Sequence, residues 1–123
     1  MKIRIRVGDL NMDAELNETP TAQKIAHVLP IKTPFNTWGE EIYFAIPVDA
    51  DLDESAKDAV EVGDLGYWPT GKAFCIFFGQ TPMSTPEKIV PASAVNIIGR
   101  VMGDATRFKE VMQEGEVVVD AAP

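Results

Sequence analysis

Charged and aliphatic residues alternate strictly at the start of the chain. Ile3, Ile5 and Val7 fall on one face and Lys2, Arg4 and Arg6 on the other, which predicts a half-buried strand over residues 2–7. Gly8-Asp9 signals a turn, and Met12, Ala14 and Leu16 supply the inner face of a returning strand. The period then changes. Thr19 is placed to cap a helix and Pro20 to open it. Ala22, Ile25, Ala26 and Leu29 follow at helical spacing, and Pro30 stops the run. Two strand-like segments follow around Gly39, at 31–38 and 40–47. The second, Glu41-Ile42-Tyr43-Phe44-Ala45-Ile46, is rich in aromatic and β-branched residues.

Residues 48–62 carry many acids and few large apolar groups, which predicts a solvated loop or helical turn. Residues 63–79 read as two strands joined by Pro69-Thr70-Gly71. Pro82, Pro86 and Pro91 mark 80–92 as a surface loop. Residues 95–102 form a further strand. Asp104 caps a short helix that turns Phe108, Val111 and Met112 inward. Gly115 ends it, and 116–120 make the last strand. The sum is about eight short strands and two short helices, with no strand–helix repetition of the parallel α/β kind. Patterning alone suits a closed barrel or a sandwich.

The length of 123 residues suits a single domain over 1–123, and a hydrophobic content of 46% suffices for a core. A net charge of −8 disfavours contact with phosphate backbones, so no nucleic-acid partner is expected. The alternating N-terminus has none of the features of a signal peptide. No apolar run approaches the roughly 20 residues of a membrane span, so no membrane partner is expected either. One cysteine, Cys75, leaves no internal disulfide and fits a reducing, cytoplasmic setting.

Chemistry-bearing motifs are few. Cys75 lies within Ala73-Phe74-Cys75-Ile76-Phe77-Phe78 and reads as a small buried hydrophobe rather than a nucleophile. His27 is the only histidine, which leaves no ligand set for a metal. Asp49, Asp51 and Asp53 have the spacing that opens a calcium loop, but its sixth and twelfth places hold Glu54 and Val60. The glycines of 63–79 match neither phosphate-binding pattern. No metal or cofactor is expected.

Several segments together resemble the cyclophilins. Thr21–Leu29 looks like their first helix, and Gly71-Lys72-Ala73-Phe74-Cys75-Ile76 like the strand lining their groove. Ile98-Gly99-Arg100-Val101 with Phe108–Met112 is similar to their closing strand and helix. Gly63–Pro69, Ala73–Gly79 and Pro91–Asn96 resemble a group of small prokaryotic cyclophilin-like proteins of no established activity. The resemblance spans essentially the whole chain and implies a mainly β, closed cyclophilin-like barrel.

It also implies where function would lie. A cyclophilin lowers a barrier of about 18–20 kcal/mol for proline isomerisation. It uses an arginine that follows a Phe-His pair, with a tryptophan and a histidine from a later loop. The nearest counterpart of the pair here is Phe35-Asn36-Thr37. No arginine lies between Arg6 and Arg100, and Thr81–Val90 holds neither tryptophan nor histidine. Losing one transition-state donor costs about 10²–10³ in rate. An aromatic groove is what remains. Phe35, Trp38, Tyr43, Trp68, Phe74, Phe78 and Met83 are its candidate lining, with Glu40 and Gln80 as polar groups. Aromatic residues on barrel strands also serve as core, Phe74, Phe77 and Phe78 above all. The expected function is binding of a small molecule or an extended peptide. The alternative is a weak prolyl isomerase relying on Arg100.

Overall fold

The computed structural model describes all residues from 1 to 123. Strands β1 (Lys2–Val7) and β2 (Leu10–Leu16) form the expected hairpin, with the alternating aliphatic residues turned into the core. Helix α1 (Pro20–His27) begins where the Thr19 hydroxyl accepts the Ala22 amide at 3.3 Å, and it buries Ala22 and Ile25. His27 is exposed in its last turn.

Eight more strands follow. They are β3 (Ile31–Pro34), β4 (Asn36–Thr37), β5 (Glu41–Ala45), β6 (Ala56–Lys57), β7 (Asp64–Trp68), β8 (Ala73–Phe77), β9 (Val95–Val101) and β10 (Glu116–Ala121). Nine of the ten strands make one antiparallel path, β3-β10-β1-β2-β9-β7-β8-β5-β4, and β6 adds to β9. The two ends of this path are consecutive in the chain. Residues 31–34 pair with β10, and 36–37 pair with β5. Between them the Phe35 amide donates to the Gly115 carbonyl at 2.9 Å. One segment thus bridges both margins of the sheet and nearly closes the barrel, leaving little free edge. Counting 31–37 as a single strand leaves eight along the path, the expected number, with β6 outside it.

The barrel interior holds Ile42 and Phe44 from β5, Leu65 and Tyr67 from β7, and Phe74 and Ile76 from β8. Phe44 and Phe74 stack with centroids 5.1 Å apart. The expected second helix is a 3-10 turn, Ala105–Glu110, capped by Asp104, and its Phe108 packs against Phe78. No helix is long and apolar enough to cross a membrane.

The acidic segment departs from expectation. It is anchored rather than merely solvated. Asn96, fully buried in β9, donates to Thr21 Oγ1 and to the Asp51 carbonyl and accepts the Asp53 amide. The Asp53 carboxylate in turn accepts from Thr21 and Ser55, and Asp49 pairs with Lys72 at 2.8 Å. Two of the three aspartates with calcium-loop spacing are therefore committed to protein donors. Burial of polar groups is tolerated here because each one finds a partner.

Candidate functional site

Strand β8 is buried along its whole length. Phe74 and Ile76 face into the barrel, whereas Ala73, Cys75 and Phe77 face outward into a second, smaller apolar cluster with Val60 and Val95. A strand buried on both faces needs a cover outside the barrel. That cover is the 80–94 loop, which carries its own hydrogen bonds. Thr81 and Val90 amides both donate to Ser84 Oγ, the Gln80 side chain reaches the Thr85 carbonyl, and Val60 bridges to Ile89.

The cover is incomplete. Between it and the outer face of β5 and β7 lies a cavity of about 190 Å³. Alternation along β5 puts Ile42 and Phe44 inside and Glu41 and Tyr43 outside. The tight turn after β4 brings Trp38 to the same rim, its amide donating to the Glu41 carbonyl at 2.9 Å. Trp68 closes the opposite side from the end of β7. Its ring stands nearly perpendicular to that of Tyr43, at 87° and 6.3 Å between centroids. The indole Nε1 donates to Ser93 Oγ at 2.6 Å, which fixes its plane. Pro91, Ala92 and Val95 complete the wall.

Two glycines make room for this arrangement. A Cβ on Gly71 would lie 2.7 Å from the six-membered ring of Trp68, so only glycine lets the indole fold over that turn. A Cβ on Gly66 would lie 3.0 Å from Val95 and 3.2 Å from Phe77, whose side chains fill the space above β7.

Glu41 is the polar group of the cavity. It is 5% exposed, and none of the six ion pairs in the protein includes it. Burial pushes its carboxyl up to about 7, with the neighbouring Cys75 thiol pulling slightly the other way. Burial, and then the nearby Glu41 charge, push the Cys75 thiol well above its ordinary value. A thiol held protonated in this way is no nucleophile at neutral pH.

The expected site residues separate into two sets. Trp38, Tyr43 and Trp68 meet in the one cavity. Phe35, Phe74 and Phe78 do not: all three are buried in the main barrel core, where their strand parity or their packing sends them. Glu40 and Gln80 also stand outside the cavity. The Glu40 carboxylate accepts the Gln80 amide at 3.3 Å and pairs with Lys109 at 3.2 Å, tying strand ends together. Met83 lies exposed on the loop. The sequence reading missed Glu41, Pro91, Ala92 and Val95. Glu41 could have been found from its parity with Tyr43, since an acid on that face of an aromatic strand is unusual.

Arg100 does not reach the cavity. It pairs with Asp64 at 2.9 Å and donates to the Val62 carbonyl. It lies five residue steps along the strand from Val95, roughly 17 Å at the usual rise. The position across the sheet from Tyr43 is Asn36, not an arginine.

The family model described as cyclophilin-like matches residues 1–120. Among solved structures, the chain is similar to the hypothetical protein AF2241 from Archaeoglobus fulgidus. The identity is 46% over 99% of this chain and 95% of that one, with a TM-score of 0.81. It is also similar to McbB, whose structure is of a complex with tryptophan. That identity is 16% over 97% of this chain and 44% of that one, with a TM-score of 0.70, a likeness of fold alone. No curated protein matches the chain.

Proposed function

The chain belongs to the cyclophilin-like family, and on that premise we propose that it is a binding module which takes one ring-sized group in the outer aromatic cavity without catalysing prolyl isomerisation. The observation that carries this reading is the cavity itself, walled by Trp38, Tyr43 and Trp68 and roofed by an ordered loop.

Size narrows the occupant. Pockets for drug-sized ligands measure about 300–1,000 Å³, while an apolar cavity of about 150 Å³ accepts benzene. At about 190 Å³ this one suits a single ring or a branched head group. Such a group can belong to a small molecule or project from an extended peptide. The tryptophan complex of McbB, a protein of the same fold, is in keeping with an occupant of that kind.

The isomerase reading draws less support. The cavity walls include no arginine, histidine or lysine, and Arg100 is occupied elsewhere by Asp64. Exchange NMR on a short proline-containing peptide tests the point. Binding without catalysis predicts perturbed indole signals and an unchanged cis–trans exchange rate. Accelerated exchange would refute the non-catalytic reading, and its loss in Arg100→Ala would assign the catalysis to Arg100.

A further inference from the structure

Glu41 is an expensive residue to place where it is. A carboxylate nine-tenths buried ordinarily has an arginine, a lysine or several amides facing it. Here none of the protein's ion pairs includes it, and the neighbour at its carboxyl is a thiol. The side chain is nevertheless open to the cavity, whose other walls are two indoles, a phenol and small apolar groups. A cation that enters through the cavity would supply the counter-charge that the fold does not.

The walls say which kind. Aromatic faces attract cations through their quadrupoles, and indole does so most strongly. Tyr43 and Trp68 stand at 87° to each other, so they form two adjoining walls rather than a stack. Trp38 adds a third aromatic group at the rim. A primary ammonium carries three donors and needs as many acceptors. Chiefly apolar walls around one carboxyl satisfy it poorly. A methylated ammonium has few or no donors and presents carbon to the rings while keeping its charge. Its head group has the size class that the cavity admits, and the net charge of −8 favours the approach of cations.

We propose that the cavity is built for an alkylammonium group whose methyl carbons lie against Trp38, Tyr43 and Trp68 while the Glu41 carboxylate answers its charge. This rests on the reading of the cavity as a binding site and names the class of ligand. The group can be a free small molecule or the end of a methylated lysine side chain.

The test uses choline and its neutral carbon isostere, dimethylbutanol, titrated at pH 8 and constant ionic strength. The two tryptophan indole N–H signals are followed by NMR. Choline is expected to shift them saturably and to bind at least about tenfold tighter than the isostere. Glu41→Gln is expected to remove most of that preference, weakening choline far more than the isostere. Equal affinity for the two probes in the wild-type protein overturns the cation assignment, and this comparison does not depend on the variant folding. If the isostere binds and choline does not, the cavity is a site for neutral apolar groups, so this inference falls and the proposed function stands. If neither binds and an apolar ring probe is also silent, both fall. A trimethyllysine peptide run in parallel separates the sources. Tighter binding than choline assigns the site to a modified side chain, and weaker binding assigns it to a free ammonium compound.

Discussion

The same strands build two unlike regions. Inside the barrel, β5, β7 and β8 present Ile42, Phe44, Leu65, Phe74 and Ile76 to a closed apolar core. On the outer face, the same strands present Glu41, Tyr43, Trp68 and Cys75 to a small cluster that a loop only partly covers. The inner face is buried and almost wholly apolar, with Tyr67 its one hydroxyl on these strands. The outer face contains an ionisable group and a cavity. The contrast teaches that strand parity divides the work: one residue carries the barrel core and its neighbour faces the outer cavity.

Substitutions on the two faces should therefore separate cleanly. Phe74→Ala empties a fully buried position stacked on Phe44 and should lower stability by about 3–5 kcal/mol in chemical denaturation. If Phe74→Ala proves mild, the two faces are not energetically distinct.

Glu41 gives the next largest effect, and it depends on pH. Its folded carboxyl titrates near 7 rather than at the ordinary 4.5, so the folded state holds a proton that the unfolded chain has lost. Its favourable state is fully present below pH 4.5. It is eroded as pH rises through about 7, where the cost reaches roughly 3 kcal/mol. Glu41→Gln should flatten this dependence, raising the melting temperature at pH 8.5 and changing it little at pH 4.5. An equal change at both pH values would show that the carboxyl is not held neutral by burial.

Trp68→Ala should cost less in stability, about 1–2 kcal/mol, since the indole is only half buried. It should nonetheless abolish ring binding measured by calorimetry. Retained binding would move the site off the outer face. The smallest effect belongs to Ser93→Ala, which frees the Trp68 indole N–H at an exposed position. About 0.5–1 kcal/mol of stability should be lost, with ligand affinity falling a fewfold as the wall loses its fixed plane.

Much of the fold was legible in local pattern. The alternation of residues 2–16, the cap at Thr19-Pro20 and the turn residues gave the elements, because each is a local property of the chain. The way 31–37 bridges both ends of the sheet was not legible, since it depends on pairings with β5 and with the distant β10. The site was half legible. Trp38, Tyr43 and Trp68 flank turns or sit at strand positions facing outward. Ala73–Phe78, apolar on both faces, gives alternation nothing to work with, so Phe74 and Phe78 could not be told from Cys75 and Phe77. Glu40 stands outside the cavity and Glu41 inside it, because in a strand one residue is the difference between the two faces. Pro91 and Ala92 reach the cavity from a long loop that no local signal places, and Val95 meets them from the first position of β9.

The most direct test of the account follows both indole signals at once. The protein has two tryptophans, and each forms part of the cavity wall. Titration with a single-ring ligand, monitored by nitrogen-edited NMR, should move both indole N–H resonances along saturation curves that share one dissociation constant. Movement of only one indole, or two curves with different constants, would contradict a single shared cavity and with it the function assigned to the outer face.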